Sequence, residues 1–262
     1  MTPTATSGTA HQQGPLWGSK PVEWAELEAQ QIPAYEEAVR RVGVEPGDAV
    51  LDLGCGAGTF LGLVADRGAR PSGLDAAEGL AELARTRVPE ADVRVGDLES
   101  LPWADDSFDL VTGFCSFFFA GDMVAALREA GRVAKPGAPV VIEVWGRPER
   151  CDLRAMLDAV RALRGEASGA PSLAKPGALE EIASAAGLEA RYAFDLSFAF
   201  EYPDEATLVR RQLSPGPVQL AVAEAGEERV RSAVAEALAP FRRTDGSYRL
   251  ENEWRFLIAQ AS

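Results

Sequence analysis

Histidine and cysteine are scarce in this chain, and their scarcity removes several chemistries at once. The one histidine, His11, lies near the start of 262 residues. No imidazole is therefore on hand further along the chain to act as a general base. The three cysteines, Cys55, Cys115 and Cys151, are too few and too scattered for a disulfide framework or a zinc site, and no metal is expected. Nothing basic stands next to Cys115 in sequence, which argues against a reactive thiolate there. Positive charge is also in deficit. Lys and Arg number 26 against 40 Asp and Glu, a net charge of −14, whereas binding a polyanion depends on neutralising its phosphates. A nucleic-acid partner is not expected. Apolar runs of 18 residues are missing, so no transmembrane helix is expected. The N-terminus lacks a basic stretch followed by an apolar one, so no signal peptide is visible. Cytoplasm is the expected location.

What the chain does have is the composition of a globular protein, 47% hydrophobic and 25% charged. Its organising stretch is Val50-Leu51-Asp52-Leu53-Gly54-Cys55-Gly56-Ala57-Gly58. Val50, Leu51 and Leu53 suit a strand covered on both faces. The alternating glycines permit positive φ and close approach of a ligand to the backbone. Phe60, Leu61, Leu63 and Val64 then begin a helical stripe. Such a loop turns N–H groups and a positive helix end toward a ligand.

A dinucleotide fingerprint would read G-x-G-x-x-G. Here the third glycine comes one place early, giving Asp-x-Gly-x-Gly-x-Gly over 52–58. This resembles the first motif of class I S-adenosylmethionine (SAM) methyltransferases. Other segments resemble that family in order: Leu74-Asp75 at the end of the second strand, Val95-Gly96-Asp97-Leu98, Phe108-Asp109-Leu110-Val111 at the fourth strand, and Arg132-Val133-Ala134-Lys135-Pro136-Gly137 before the fifth. The resemblance covers about residues 35–145. It implies SAM as cofactor and an α/β fold, a doubly wound, mostly parallel seven-stranded sheet. It further implies that Asp75, with Ala76 beside it, holds the ribose hydroxyls. Asp97 and the Leu98 N–H would grip adenine, and the Gly54 carbonyl would face the methionine ammonium. Asp52, Gly56 and Gly58 would organise the loop, and Phe114 and Cys115 would flank the methionyl group. Read without the resemblance, Asp52 could equally cap a loop, Asp75 a helix, and Asp97 an Asx turn.

Along the chain, residues 1–15 read as a flexible N-terminus. Residues 16–262 read as a single domain, with an arm and helix over 16–43 and no internal repeat. Trp17 and Trp24 either pack on the domain edge or fold over the substrate mouth. Strands are expected at 49–53, 70–74, 93–95, 110–112 and 140–145, with helices at 59–67, 78–87 and from Asp122. Beyond these come a helix at 152–163, a loop of small residues at 165–171, a helix at 179–186, and strands within 192–200 and 254–259. In the family the last two strands form a hairpin. A connection of about fifty residues far exceeds an ordinary hairpin loop of two to five, so 204–243 reads as a helical cap insertion.

These features point to a methyltransferase acting on a small-molecule acceptor, secondary-metabolite or quinone-like. A SAM-dependent cyclase and a non-catalytic SAM-binding protein are the rival readings. The Asn/Asp-Pro-Pro-Tyr sequence of many methyltransferases that act on nucleic-acid or protein amines is replaced here by Gly113-Phe114-Cys115-Ser116. Of Phe114, Phe117, Phe118 and Phe119, two are expected in the core. The others are expected to line an acceptor pocket with Trp17, Trp145 and Phe198. The remaining base candidates are Glu143, Asp122, Tyr35 and Tyr202, and none is singled out. The sequence names neither the acceptor, the methylated atom nor the oligomeric state.

Overall fold

The structure, a computed structural model, describes residues 8–166 and 173–261. Five parallel strands come first: β1 (Ala49–Leu53), β2 (Arg70–Asp75), β3 (Asp92–Val95), β4 (Leu110–Phe114) and β5 (Pro139–Trp145). Two antiparallel strands, β6 (Glu189–Tyr202) and β7 (Tyr248–Gln260), complete a seven-stranded sheet in the order β3-β2-β1-β4-β5-β7-β6. Strand order reverses between β1 and β4, and open α/β sheets bind ligands at the carboxyl ends of the strands there.

Alternation along the strands explains why both faces are covered. Val50, Leu110, Val141 and Ile258 enter one apolar cluster, while Leu51, Leu53, Val111, Ile142 and Leu257 enter the other. The first cluster is closed by helices α3 (Ile32–Val42), α7 (Leu153–Leu163) and α11 (Glu227–Leu238). The second is closed by α6 (Met123–Val133) and α8 (Ala178–Ala185). Asp122 caps α6 as expected, accepting from the N–H groups of Val124 and Ala125 at 2.9 and 3.0 Å.

Two expectations about extent are corrected. First, regular structure begins within the stretch read as flexible. A helix spans Ala10–Trp17 (α1), and a second, Pro21–Glu28 (α2), continues through a 3-10 turn into α3. A helix of eight residues is marginal alone. Here the Ala10 N–H donates to Asp97 and the Thr9 hydroxyl to the Phe119 carbonyl, which ties its start to the domain. Residues 1–7 lie outside the described residues, as does the 167–171 part of the expected loop. Second, β6 and β7 are longer than read, because their outer halves pair only with each other, beyond the end of β5. The connection between them, expected to be helical, holds three helices, α9 (Glu205–Gln212), α10 (Gly216–Ala225) and α11. Val230, Val234 and Leu238 are buried along the inner face of α11.

Candidate functional site

The parallel topology collects the loops after β1, β2, β3 and β4 at one edge. They wall a cleft of about 200 Å³ together with Trp145 at the end of β5, residues of α2, α3 and α7, Phe200, and the α9–α10 turn. Eight of the residues named from sequence stand on this wall: Gly54, Gly56, Asp75, Ala76, Asp97, Leu98, Phe114 and Cys115. Asp52 and Gly58 do not reach it. Asp52 is buried beneath the loop and accepts from the Thr112 hydroxyl at 2.7 Å. Burial pushes its carboxyl up to about 8, with the Glu28 and Asp75 charges adding to the shift. Gly58 stands at the N-cap of α4 (Thr59–Ala65) with φ +83°, facing Ala84 rather than the cleft.

The loop's shape depends on glycine at two positions above all. A Cβ on Gly54 (φ +79°) would lie 2.5 Å from the Ser116 Cβ. A Cβ on Gly56 (φ +54°) would lie 2.6 Å from Glu28 Oε2 and 3.0 Å from Trp24 Nε1. The close neighbour of Gly56 is thus the N-terminal arm. Glu28 reaches in from α2 and accepts from the Ala57 N–H (2.7 Å) and the Thr59 N–H (2.8 Å), satisfying unpaired donors at the start of α4. It is 4% exposed, and burial raises its carboxyl pKa.

Asp75 fixes the next corner. Its Oδ2 accepts from the Gly56 N–H and its Oδ1 from the Ala77 N–H, both at 2.8 Å. A carboxylate has about four acceptor sites, so two remain for a ligand on the cleft side. Asp97 follows β3. Its Oδ1 accepts from the Glu99 N–H at 2.9 Å and its Oδ2 from the Ala10 N–H at 3.1 Å, so the arm closes directly on it.

Cys115 takes positive φ (+51°), unusual for a residue with a Cβ. This turns the chain after β4 so that Phe114 and Cys115 both face the cleft. The Cys115 thiol faces the Glu143 carboxyl, which is wholly buried and has no N–H or O–H partner among the described residues. Burial pushes Glu143 up to about 8. Three wall atoms are also buried without partners among the described residues: Trp24 Nε1, Gln31 Oε1 and Ser116 Oγ. Unmet polar atoms of this kind call for a ligand or water.

The aromatic expectations divide. Phe117 is core, whereas Phe114, Phe118 and Phe119 reach the wall with Trp17 and Trp145. Phe198 is not on the wall. It stacks on Trp254 with ring centroids 4.0 Å apart, and Phe200, two residues on, takes the wall position. Of the base candidates, Asp122 is committed to capping α6. Tyr202 is buried and accepts from Gln212 Nε2 at 2.6 Å, and Tyr35 stands on the wall. Sequence reasoning missed Glu28 and Gln31. Yet Trp24, Glu28, Gln31 and Tyr35 recur at helical spacing, and that stripe could have marked them as one face turned toward the glycine loop.

Residues 51–142 match the family model of a methyltransferase domain. The chain is 34% identical to the demethylmenaquinone methyltransferase of Renibacterium salmoninarum over 139 residues, which cover 51% of this chain and 59% of that protein. It is 29% identical to the malonyl-[acyl-carrier protein] O-methyltransferase of Serratia marcescens over 199 residues, 75% of each. Among solved structures, the [4+2]-cyclase SpnF shares the fold, with a TM-score of 0.56 at 19% identity, covering 87% of this chain and 80% of that one. The strand order agrees with the shared fold, and over residues 51–142 the chain carries a methyltransferase domain similar to those of the class I SAM-dependent methyltransferases.

Proposed function

We propose that this protein transfers the SAM methyl group to a small, largely apolar acceptor. The supporting observation is that one cleft joins two unlike halves. One half holds the glycine loop, Asp75 and Asp97. The other is apolar, walled by Trp145, Leu153, Met156, Leu157 and Phe200. The unpartnered polar atoms and the carboxylates fit a cofactor that is cationic at its sulfonium and ammonium and rich in hydroxyls. On this reading Asp75 accepts from the ribose hydroxyls, Asp97 and the Leu98 N–H meet adenine, and the Gly54 carbonyl accepts from the ammonium. Trp24 Nε1 and Ser116 Oγ are free to serve the methionyl end.

When bound, SAM supplies an already activated methyl group. The chain's part is to hold the acceptor in line and to exclude water. Orientation of this kind is worth ~7–11 kcal/mol. Phe114 and Cys115 border the position between the two halves, where the transfer would occur. An acceptor of quinone or malonyl type, as the two relatives' names indicate, is a candidate for this chain as well. The SpnF likeness raises a second use of the fold, cyclisation without methyl transfer.

The test is calorimetry followed by turnover. SAM and S-adenosylhomocysteine should bind, and Asp75→Ala should weaken both by ~1.5–3 kcal/mol, the worth of a hydrogen bond to a charged acceptor. Release of S-adenosylhomocysteine with a converted acceptor supports methyl transfer. Conversion without that release favours cyclisation, and preferential binding of NAD would overturn the SAM reading.

A further inference from the structure

The cleft wall carries three acidic side chains, Glu28, Asp75 and Asp97; Asp52 and Glu143, buried behind it and raised to about 8, keep their protons near neutral pH and add no charge. Among the described residues no lysine, arginine or histidine lines it, and residues 1–7, 167–172 and 262 contain none of these types. Three arginines on the surrounding elements are already engaged. Arg147 donates to Glu253 at 2.8 and 2.7 Å, Arg210 to Glu26 at 2.6 Å, and Arg87 to the Ala57 carbonyl at 3.3 Å. The unpaired or cleft-facing polar groups on the acceptor half are neutral: Gln31 Oε1, Gln212 and the Tyr35 hydroxyl.

We propose that the acceptor is an uncharged ring compound bearing a hydroxyl or similar neutral donor, and that the cleft rejects acceptors carrying a carboxylate or phosphate. This rests on the methyltransferase reading above, which it narrows: of the two acceptor types named there it keeps the quinone-like ring and excludes the malonyl carboxylate. A desolvated anion needs a paired cation or several donors; with Trp24 Nε1 and Ser116 Oγ serving the methionyl end on the reading above, the acceptor half offers apolar carbon and the neutral Gln31, Gln212 and Tyr35 instead. Carboxylates in a low-dielectric cleft also repel a second anion more strongly than they would in water. The same field favours a cofactor with net positive charge. A neutral ring loses nothing to it, while Trp145, Leu153, Met156, Leu157 and Phe200 bury its apolar faces. A hydroxyl donor finds acceptors in Gln31 and Tyr35.

The experiment uses the full chain saturated with S-adenosylhomocysteine and two probes of equal shape, 2-naphthol and 2-naphthoate, titrated calorimetrically near neutral pH. There the first is neutral and the second an anion. Naphthol should bind roughly tenfold or more tighter, about 1.4 kcal/mol. Leu157→Lys places a cation on the wall from a half-buried position whose stem can stay packed while the ammonium reaches out. It should narrow or reverse the ratio. Equal or tighter binding of naphthoate by the wild type, binding of neither probe, or a ratio that Leu157→Lys leaves unchanged would overturn the proposal while the SAM reading stands. Failure of the wild type to bind S-adenosylhomocysteine at all would remove that reading, and this inference with it.

Discussion

Glu143 is the residue whose chemistry is most constrained by its place. It sits in the middle of the sheet, on β5, with no exposed surface and no N–H or O–H partner among the described residues. Its carboxyl is raised from 4.5 to about 8 by burial. Between those values the folded chain keeps the proton that the unfolded chain releases. Stability therefore falls as pH rises from about 4.5 to about 8 and levels off above that. Glu143→Gln keeps the shape without the charge. It should stabilise the protein at pH values above about 8 by roughly 1–3 kcal/mol, the cost of an unsatisfied buried group, and do little near the lower end of the window. Thermal melts across that range check this, and a gain of equal size at both ends would mean that ionisation of Glu143 does not set the slope. Asp52, also raised to about 8, contributes in the same direction, so the slope should shrink rather than vanish.

At the scale of elements, the helical run from α2 into α3 is the part that sequence reading underestimated. Strands β1, β4 and β5 were legible because strands buried on both faces read as short apolar runs, whereas β2 and β3, partly exposed and polar, were placed by the motifs at their ends. Asp52 within β1, Asp75 at the end of β2 and Asp97 just past β3 were legible because they stand at fixed places relative to those strands. Glu28 and Gln31 were not, since an acid and an amide on a helix read as its wet side. Only the fold shows that this side meets the glycine loop. The inner halves of β6 and β7 were legible as aromatic and β-branched runs. Their outer halves alternate buried and exposed residues, as at Tyr248, Leu250 and Asn252, and have no third strand to make them uniformly apolar. The arm's role gives two expectations. Glu28→Gln keeps one acceptor oxygen for two N–H donors, so it should cost ~1–2 kcal/mol of stability, the scale of a lost helix cap, and weaken SAM by loosening the loop. Gly56→Ala should do the same by forcing Glu28 and Trp24 aside, with helix content nearly unchanged by circular dichroism. Normal SAM affinity in both variants would show that the arm packs on the loop without shaping it.

For the whole molecule, the question is what the two added segments do together. Trp17 joins them: its ring lies 4.7 Å from Trp24 and 5.2 Å from Phe119, and its indole leaves no room for a side chain at Gly216 of α10. Glu26 of α2 pairs with Arg210 and Arg211 of α9, and Lys20 with Glu227. The pairs are partly exposed and contribute little stability individually, but they set where the arm rests. The result is a cover over the carboxyl edge of the sheet, where water must be kept from the reacting groups. The arm has two parts that a truncation can separate. Residues from Pro21 onward hold the glycine loop through Trp24 and Glu28 and bury Ala25 and Leu27. Helix α1 buries only Gly14 and touches the cofactor half through the Ala10 N–H on Asp97. Removing residues 1–18 should therefore leave the melting temperature within a few degrees, since little core is lost. S-adenosylhomocysteine affinity should fall only a few-fold, while methyl transfer drops roughly tenfold or more. A longer cut through Glu28 should lose both cofactor binding and stability. Hydrogen exchange over residues 8–17 should slow when S-adenosylhomocysteine binds, because the ligand would buttress the helix against Asp97. A chain lacking residues 1–18 that turns over at the full rate would show that α1 lies on the cleft without closing it, leaving α9 and α10 as the only cover over the acceptor.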